Sequence, residues 1–209
     1  MGEPAAAHPG EMSAADRALL DRHGDLLLKL ARRSIDHRLA QGRMLLADPA
    51  DFAPELGEHR AVFVTLTRSG SLQGCVGTPV AFRPLVVDVA ENAAAAAVDD
   101  PRFAPLAATE AACVEIEISL LGAPERLHAT TEAELLTALV PGRDGLILRA
   151  GDRRALFLPK VWEVLPEPAD FIAHLYRKAG LRPGRWIEDM VFHRFASTSI
   201  SERRYDPAD

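Results

Sequence analysis

The chain has 209 residues, of which 48% are hydrophobic and 26% are charged, so it is long enough and apolar enough to bury a sizeable core. A formal charge of −6 and a pI near 5.7 disfavour a nucleic-acid or anionic-membrane binder, which would normally be basic. Two cysteines, no apolar run of bilayer length and no secretory leader pattern predict a cytoplasmic protein without membrane attachment.

Three segments are predicted from composition. Residues 1–12 are rich in Ala, Pro and Gly, which is typical of a disordered tail. A single folded domain is predicted over 13–200, since no repeat or low-complexity linker interrupts it, and a second tail over 201–209.

The domain begins with a predicted helix from about Ala14, with Ser13 as its candidate N-cap and Gly42 as the glycine that ends it. Gly24 is a candidate break within this helix. Apolar residues recur every four positions along this helix and form one stripe, which consists of Leu27, Ala31, Ile35 and Leu39.

A predicted hairpin follows. Apolar and polar residues alternate over Arg60–Arg68, which predicts a strand, and Ser69-Gly70 supplies a turn. The returning segment, Gly70–Thr78, reads GSLQGCVGT and places three glycines around Cys75. Because glycine permits a close approach of backbone to a ligand or another chain, this segment is the first candidate for a site.

A second helix is predicted with Pro84 at its first position and with its end at Asp100-Pro101. Cys113–Leu121 is then predicted as a strand, whose polar face carries Glu115 and Glu117.

The remaining elements are predicted from capping, turn and alternation signals. They are a short helix after Thr131 with Glu134 as its capping box, a hairpin of Leu146–Arg149 and Arg154–Leu158, a helix from Pro168 to Gly180, and a strand over Met190–Phe195. Strands grouped in hairpins with helices between them predict an α+β fold with a mostly antiparallel sheet flanked by helices.

No motif defines a cofactor. The nucleotide fingerprints GxGxxG and GxxxxGK[ST], the GxSxG elbow and paired histidines at zinc spacing are all absent from the sequence. The sequence therefore predicts no metal and no cofactor.

Cys75 has two interpretations. Cysteine is among the most buried residue types, so this thiol can be a small core residue on a tight turn. Alternatively, its flanking glycines leave the sulfur open as a nucleophile, which needs a nearby cation or helix N-terminus to favour the thiolate. Arg102, Lys178 and the histidines are candidates for that cation.

Other polar residues also have a structural and a functional interpretation. Arg102 either follows a helix end as an exposed side chain or presents its guanidinium fork to an anion. Glu115 and Glu117 form a solvated strand face or act in acid–base chemistry. Asp144, between two glycines, is interpreted as a turn residue.

These segments together resemble the AMMECR domain family, found in bacteria and archaea as the A component of the AmmeMemoRadiSam system. The resemblance is carried first by Leu72–Thr78, LQGCVGT, which is similar to the family signature L-R-G-C-I-G-T. Further matching segments occur in family order and are Asp100–Leu106, Glu115–Ser119, Pro124-Glu125, Gly142–Leu146, Phe157–Trp162 and Lys178–Leu181.

The resemblance implies an AMMECR-type α+β fold with a larger and a smaller subdomain and a cleft between them. It implies two partners, a Memo-like protein and a radical SAM enzyme, and no established reaction. Gln73 stands where the family usually has Arg, so any contribution of that Arg to anion binding or thiolate formation is absent here.

Two functions remain open. In the first, the chain is a catalytic or substrate-handling component of a small-molecule or nucleobase modification pathway. Its candidate catalytic residues are Cys75, Glu117 and Lys178, and its candidate residues for an anionic small-molecule substrate are Gly74, Gly77, Thr78 and Arg102. In the second, the chain is a non-catalytic scaffold, and the glycine loop docks the Memo-like protein or the radical SAM enzyme.

Overall fold

The computed structural model describes residues 12–202, which fall into two compact units. The larger unit comprises Ala14–Leu121 and residues 198–202, and the smaller comprises residues 12–13 and Gly122–Ser197. Each unit combines helices with one four-stranded sheet, so the predicted α+β fold is confirmed. Most of both predicted tails lies outside the described residues.

Four α-helices and eight strands make up the described fold. In chain order they are α1 (Ala14–Gln41), β1 (Ala61–Arg68), β2 (Ser71–Gly77), α2 (Leu85–Val98), β3 (Glu115–Leu121), β4 (Glu125–Leu127), α3 (Glu132–Ala138), β5 (Gly145–Ala150), β6 (Arg153–Phe157), α4 (Pro168–Lys178), β7 (Met190–Phe195) and β8 (Ser197–Ser201). No described helix is long and apolar enough to cross a membrane.

The sheet of the larger unit has the strand order β2-β1-β3-β8. The apolar residues of β1, which are Val62, Val64 and Leu66, are buried, as are the corresponding residues of β3. Helix α2 contacts β1 and β2, and α1 contacts α2 and β3. The period-two alternation of β1 therefore buries one face of the sheet against helices, as the sequence predicts.

Strands β1 and β2 form the predicted antiparallel hairpin. Ser69 and Gly70 both have positive φ, at 49° and 76°, which suits the right-handed twist of a two-residue hairpin turn. The register shifts between Leu66, which pairs with Gly74, and Thr67, which pairs with Leu72. Gln73 is therefore the extra residue of a β-bulge.

Helix α1 is continuous, so the predicted break at Gly24 is wrong. A Cβ at position 24 would lie 2.0 Å from Cδ1 of Ile200 on β8, so this glycine makes room for a side chain. The predicted end of the helix is confirmed, because Gly42 has a φ of +69° and donates its N–H to the carbonyl of Arg38.

Four elements, β3, β4, β8 and α2, differ from the sequence prediction. Ala108–Cys113 forms 3₁₀ turns, and β3 starts at Glu115 rather than at Cys113. Strands β4 and β8 were not predicted, because one has only three residues and the other is the polar segment STSIS. Pro84 caps α2 from the position before its first residue.

The smaller unit has the strand order β4-β7-β5-β6 and a core that includes α4. The rings of Trp162 and Phe171 are parallel, with centroids 3.8 Å apart. Trp162 Nε1 donates to the carbonyl of Asp144 at 2.7 Å, and the buried Asp144 carboxylate accepts the N–H of Val140 at 2.9 Å. The interpretation of Asp144 as a turn residue is confirmed.

Candidate functional site

Cys75 lies on β2, the edge strand of the larger unit's sheet, opposite Thr65 of β1. The Cys75 N–H donates to Asp100 Oδ2 at 2.9 Å, and the Cys75 carbonyl accepts from Arg102 Nη2 at 3.2 Å. Two side chains from the loop after α2 thus bind the peptide groups that a further strand would otherwise pair. We call Asp100 and Arg102 the peptide clamp.

The two members of the peptide clamp also bind each other. Arg102 donates through Nε to Asp100 Oδ1 at 2.9 Å and through Nη2 to Oδ2 at 2.7 Å. This bidentate pair, together with the Cys75 N–H, lowers the pKa of Asp100 to about 2 although the residue is only 5% exposed. The hydrogen bonds that Arg102 donates to the Asp100 carboxylate raise the pKa of Arg102.

The Cys75 side chain belongs to a row of polar groups on one face of the sheet. Thr65 Oγ1 donates to Cys75 Sγ at 3.3 Å, and Thr65 pairs across β1 and β3 with Glu117. Directly paired residues have neighbouring side chains, so a thiol, a hydroxyl and a carboxylate follow one another across three strands. We call Cys75, Thr65 and Glu117 the thiol row.

The glycines around Cys75 are required by packing. A Cβ at Gly74 would lie 1.9 Å from the carbonyl oxygen of Ala96, and one at Gly77 would lie 2.3 Å from that of Val62. Gly74 therefore allows the backbone of α2 to approach β2. Thr78 donates its hydroxyl to the Val80 carbonyl at 3.0 Å. Substrate binding by Gly74, Gly77 and Thr78 stays a prediction.

The larger unit contains every predicted site residue except Lys178. Cys75 and Glu117 lie on β2 and β3, on either side of β1, and Arg102 lies on the loop after α2. Lys178 belongs to the smaller unit, where Nζ donates to the Leu156 carbonyl at 2.9 Å and lies 5.2 Å from the centre of the Phe157 ring. The catalytic and anion-binding roles of these side chains stay predictions.

Sequence reasoning missed two residues of the site, Asp100 and Thr65. The sequence indicates a helix stop at Asp100, and an acid two positions before Arg102 is also a signal for an ion pair. Thr65 carried no signal beyond strand alternation. Within residues 12–202 no cluster of three or more His, Cys, Asp or Glu side chains has the arrangement of a metal site.

The fold and site define a class of α+β protein that has two antiparallel sheets and a clamped glycine–cysteine edge strand. The family model AMMECR1 matches residues 28–200. The chain belongs to the AMMECR1 family.

Relatives share most of their length with this chain. A protein of Thermococcus onnurineus and one of Pyrococcus furiosus are each 38% identical to it over 193 residues, which cover 87% of this chain and 91% and 89% of theirs. The crystal structure of an uncharacterized protein from Pyrococcus horikoshii is similar with a TM-score of 0.80 at 36% identity, covering 87% of this chain and 92% of that one.

Proposed function

We propose that this chain is a substrate-handling or catalytic component of the AmmeMemoRadiSam system, acting in a small-molecule or nucleobase modification pathway. Its partners in the proposal are a Memo-like protein and a radical SAM enzyme. Membership of the AMMECR1 family and the LQGCVGT segment support this assignment.

The observation that carries the proposal is the combination of the peptide clamp with the thiol row. Hydrogen bonds to both backbone groups of Cys75 fix the position of its Cα, while the Thr65 hydroxyl contacts its sulfur. In the proposal this sulfur, as the thiolate, is the nucleophile that attacks the substrate. In the proposal Glu117, next in the row, exchanges a proton with the bound substrate.

Arg102 supplies the proposed contact to an anionic group. Its Nε and Nη2 atoms hold Asp100, and its side chain remains 45% exposed. The exposed part of the guanidinium can contact a carboxylate or phosphate of the substrate without releasing Asp100.

The test is the pH profile of alkylation by iodoacetamide, measured by mass spectrometry on single-cysteine variants. Cys113→Ser leaves Cys75 as the only cysteine, and Cys75→Ser leaves only the exposed Cys113, which serves as the reference thiol. We expect Cys75 to react faster than Cys113 below pH 8. A slower reaction of Cys75 at every pH would remove the nucleophile from the proposal.

A second candidate function, a docking subunit, is favoured by two side chains that follow the glycine loop. Val80 is 62% exposed and Phe82 is 53% exposed, although both are apolar. In this alternative the loop binds the Memo-like protein or the radical SAM enzyme and performs no chemistry.

Native copurification with each partner distinguishes the two functions. The docking function requires that Val80→Ser with Phe82→Ser abolishes copurification, whereas Cys75→Ser and the control Leu46→Ser, at another exposed apolar residue, retain it. A wild-type chain that copurifies with neither partner would contradict docking and leave the alkylation profile to decide the first function.

A further inference from the structure

A pocket of about 170 Å³ opens beside the β-bulge of β2, within the larger unit. Its lining comes from β1, β2, the end of α2 and the loop after it, and includes Leu66, Arg68, Gln73, Ala97, Phe103 and Glu110. No described residue that lines the pocket belongs to the thiol row or to the peptide clamp, so the pocket is distinct from the site around Cys75.

The volume of the pocket limits the size of its ligand. A cavity of about 150 Å³ in a protein core accommodates benzene. A pocket of about 170 Å³ therefore has room for one six-membered ring and a small substituent, and a bicyclic ring system would extend into solvent.

Part of the pocket lining is apolar. Leu66, Ala97 and Leu106 are buried, and Phe103 adds an aromatic ring. An aromatic ring and aliphatic side chains favour a planar, weakly polar ligand, because burying its faces removes apolar surface from water.

One neutral polar group lies at the pocket, the amide of Gln73. Within the described residues this side chain makes one hydrogen bond, from Nε2 to the Leu72 carbonyl at 3.3 Å. A primary amide has two N–H groups and an acceptor oxygen, so one donor and the acceptor remain for a ligand. The position of Gln73 follows from the bulge, which re-aims a side chain out of the regular alternation.

The charged groups of the pocket neutralise each other. Arg68 Nη1 donates to Glu110 Oε1, and the second carboxylate oxygen of Glu110 accepts the N–H of Ala107 at 3.1 Å. The pKa of Glu110 is lowered by these two hydrogen bonds, that from Ala107 having the larger effect, so the pair stays ionised at neutral pH. Because the charges of Arg68 and Glu110 cancel, the pocket offers an ionic ligand no net attraction, and a neutral ligand leaves the pair in place.

We propose that this pocket binds a small neutral ring with an amide-type edge, a lactam of the size of 2-pyridone, whose N–H and carbonyl bond to the Gln73 amide. The ring faces pack against Phe103 and Pro105, which line the pocket and are not buried. This binding function goes beyond the proposed role of Cys75 and does not depend on it.

The test is a titration of the ¹⁵N-labelled full chain with 2-pyridone, followed in ¹H–¹⁵N correlation spectra. Benzene, which has no hydrogen-bonding edge, and benzoate, which is charged, serve as comparison ligands. We expect 2-pyridone to shift the signals of Gln73, Ala97 and Phe103, and benzoate to leave them in place.

Two variants separate the polar from the apolar contribution. Gln73→Leu should weaken 2-pyridone binding about thirtyfold, the effect of two lost hydrogen bonds, and leave benzene binding unchanged. Ala97→Leu fills the pocket and should abolish the binding of both ligands. The matched control Gln41→Leu, at the exposed end of α1, should leave every affinity unchanged.

Three outcomes would overturn the proposal. They are shifts that do not localise to the pocket, benzoate binding as tightly as 2-pyridone, and equal 2-pyridone affinity in wild type and Gln73→Leu. Since Gln73 is at the rim of an edge strand, Gln73→Leu remains decisive even where Ala97→Leu fails to fold.

Discussion

Asp100 Oδ2 accepts the backbone N–H of Cys75 at a distance of 2.9 Å, across a sequence separation of 25 residues. This contact ties the loop after α2 to the outer edge of β2. It gives the buried carboxylate a partner besides Arg102, and it closes an edge that would otherwise offer free peptide groups. The geometry of the cysteine segment therefore depends on a side chain outside that segment.

Replacing Asp100 should destabilise the larger unit. Asp100→Asn keeps an acceptor for Cys75 but loses the charged partner of Arg102, and we expect a loss of about 2 kcal/mol in the free energy of unfolding at pH 7. Urea denaturation measures it. Asp99→Asn is the matched control, because Asp99 is an exposed neighbour whose surface pair with Arg38 should contribute well under 1 kcal/mol.

The stabilisation by Asp100 has a defined pH dependence. The folded pKa of about 2 lies below the ordinary value of 3.8, so the contribution is complete above about pH 4 and is lost as the pH falls towards 2. The difference in unfolding free energy between wild type and Asp100→Asn should shrink over that window. A difference that stayed constant down to pH 2 would show that the carboxylate charge contributes nothing.

Gly74→Ala should disrupt the packing of α2 on β2. The added Cβ would lie 1.9 Å from a backbone oxygen of Ala96, and backbone cannot move aside as a flexible side chain can. We expect a loss of about 3 kcal/mol or more in urea denaturation. Gly70→Ala is the comparison, since its Cβ would meet no atom within 4 Å and only the positive φ costs about 1 kcal/mol. Equal losses would contradict the proposed close approach.

Gly24→Ala tests whether the absence of a side chain at position 24 of α1 is needed for the packing of Ile200. Alanine favours a helix over glycine by about 1 kcal/mol, but its Cβ would overlap Ile200 Cδ1. We expect Gly24→Ala to be stabilising by roughly 0.5–1 kcal/mol in an Ile200→Val background, which lacks that methyl group, and not in wild type. A double-mutant cycle by thermal or urea denaturation measures this coupling. Additive effects of the two substitutions would exclude it.

Thr65→Val tests the hydrogen bond to the thiol. Valine has nearly the shape of threonine and lacks the hydroxyl that donates to Cys75 Sγ. In the Cys113→Ser background, we expect the alkylation rate of Cys75 at pH 7.5 to fall about fivefold, because the sulfur loses one hydrogen-bond donor. Thr67→Val, two residues further along the same strand, is the control and should not change the rate. An unchanged alkylation rate in Thr65→Val would show that the Thr65 hydroxyl does not affect the reactivity of Cys75.

Local signals predicted much of the fold. Alternation over β1 and the Ser69-Gly70 turn were enough for the β1–β2 hairpin, and Gly42 was enough for the end of α1. These elements were predictable because turns, caps and alternation depend on residues close together in the chain. Strand β8 was not, since a short polar strand forms only where a neighbouring strand, here β3, offers its edge.

The sequence by itself determined the family, the glycine–cysteine segment and the presence of an arginine after the Asp-Pro helix stop. Tertiary structure decided what these residues contact: Asp100 on the Cys75 peptide, Thr65 on its sulfur, and Gln73 at a pocket. The physical reason is the distance along the chain over which each interaction acts. Backbone conformation is set largely by neighbours in the chain, whereas a hydrogen bond between residues 75 and 100 exists only after β2 and the end of α2 have packed together.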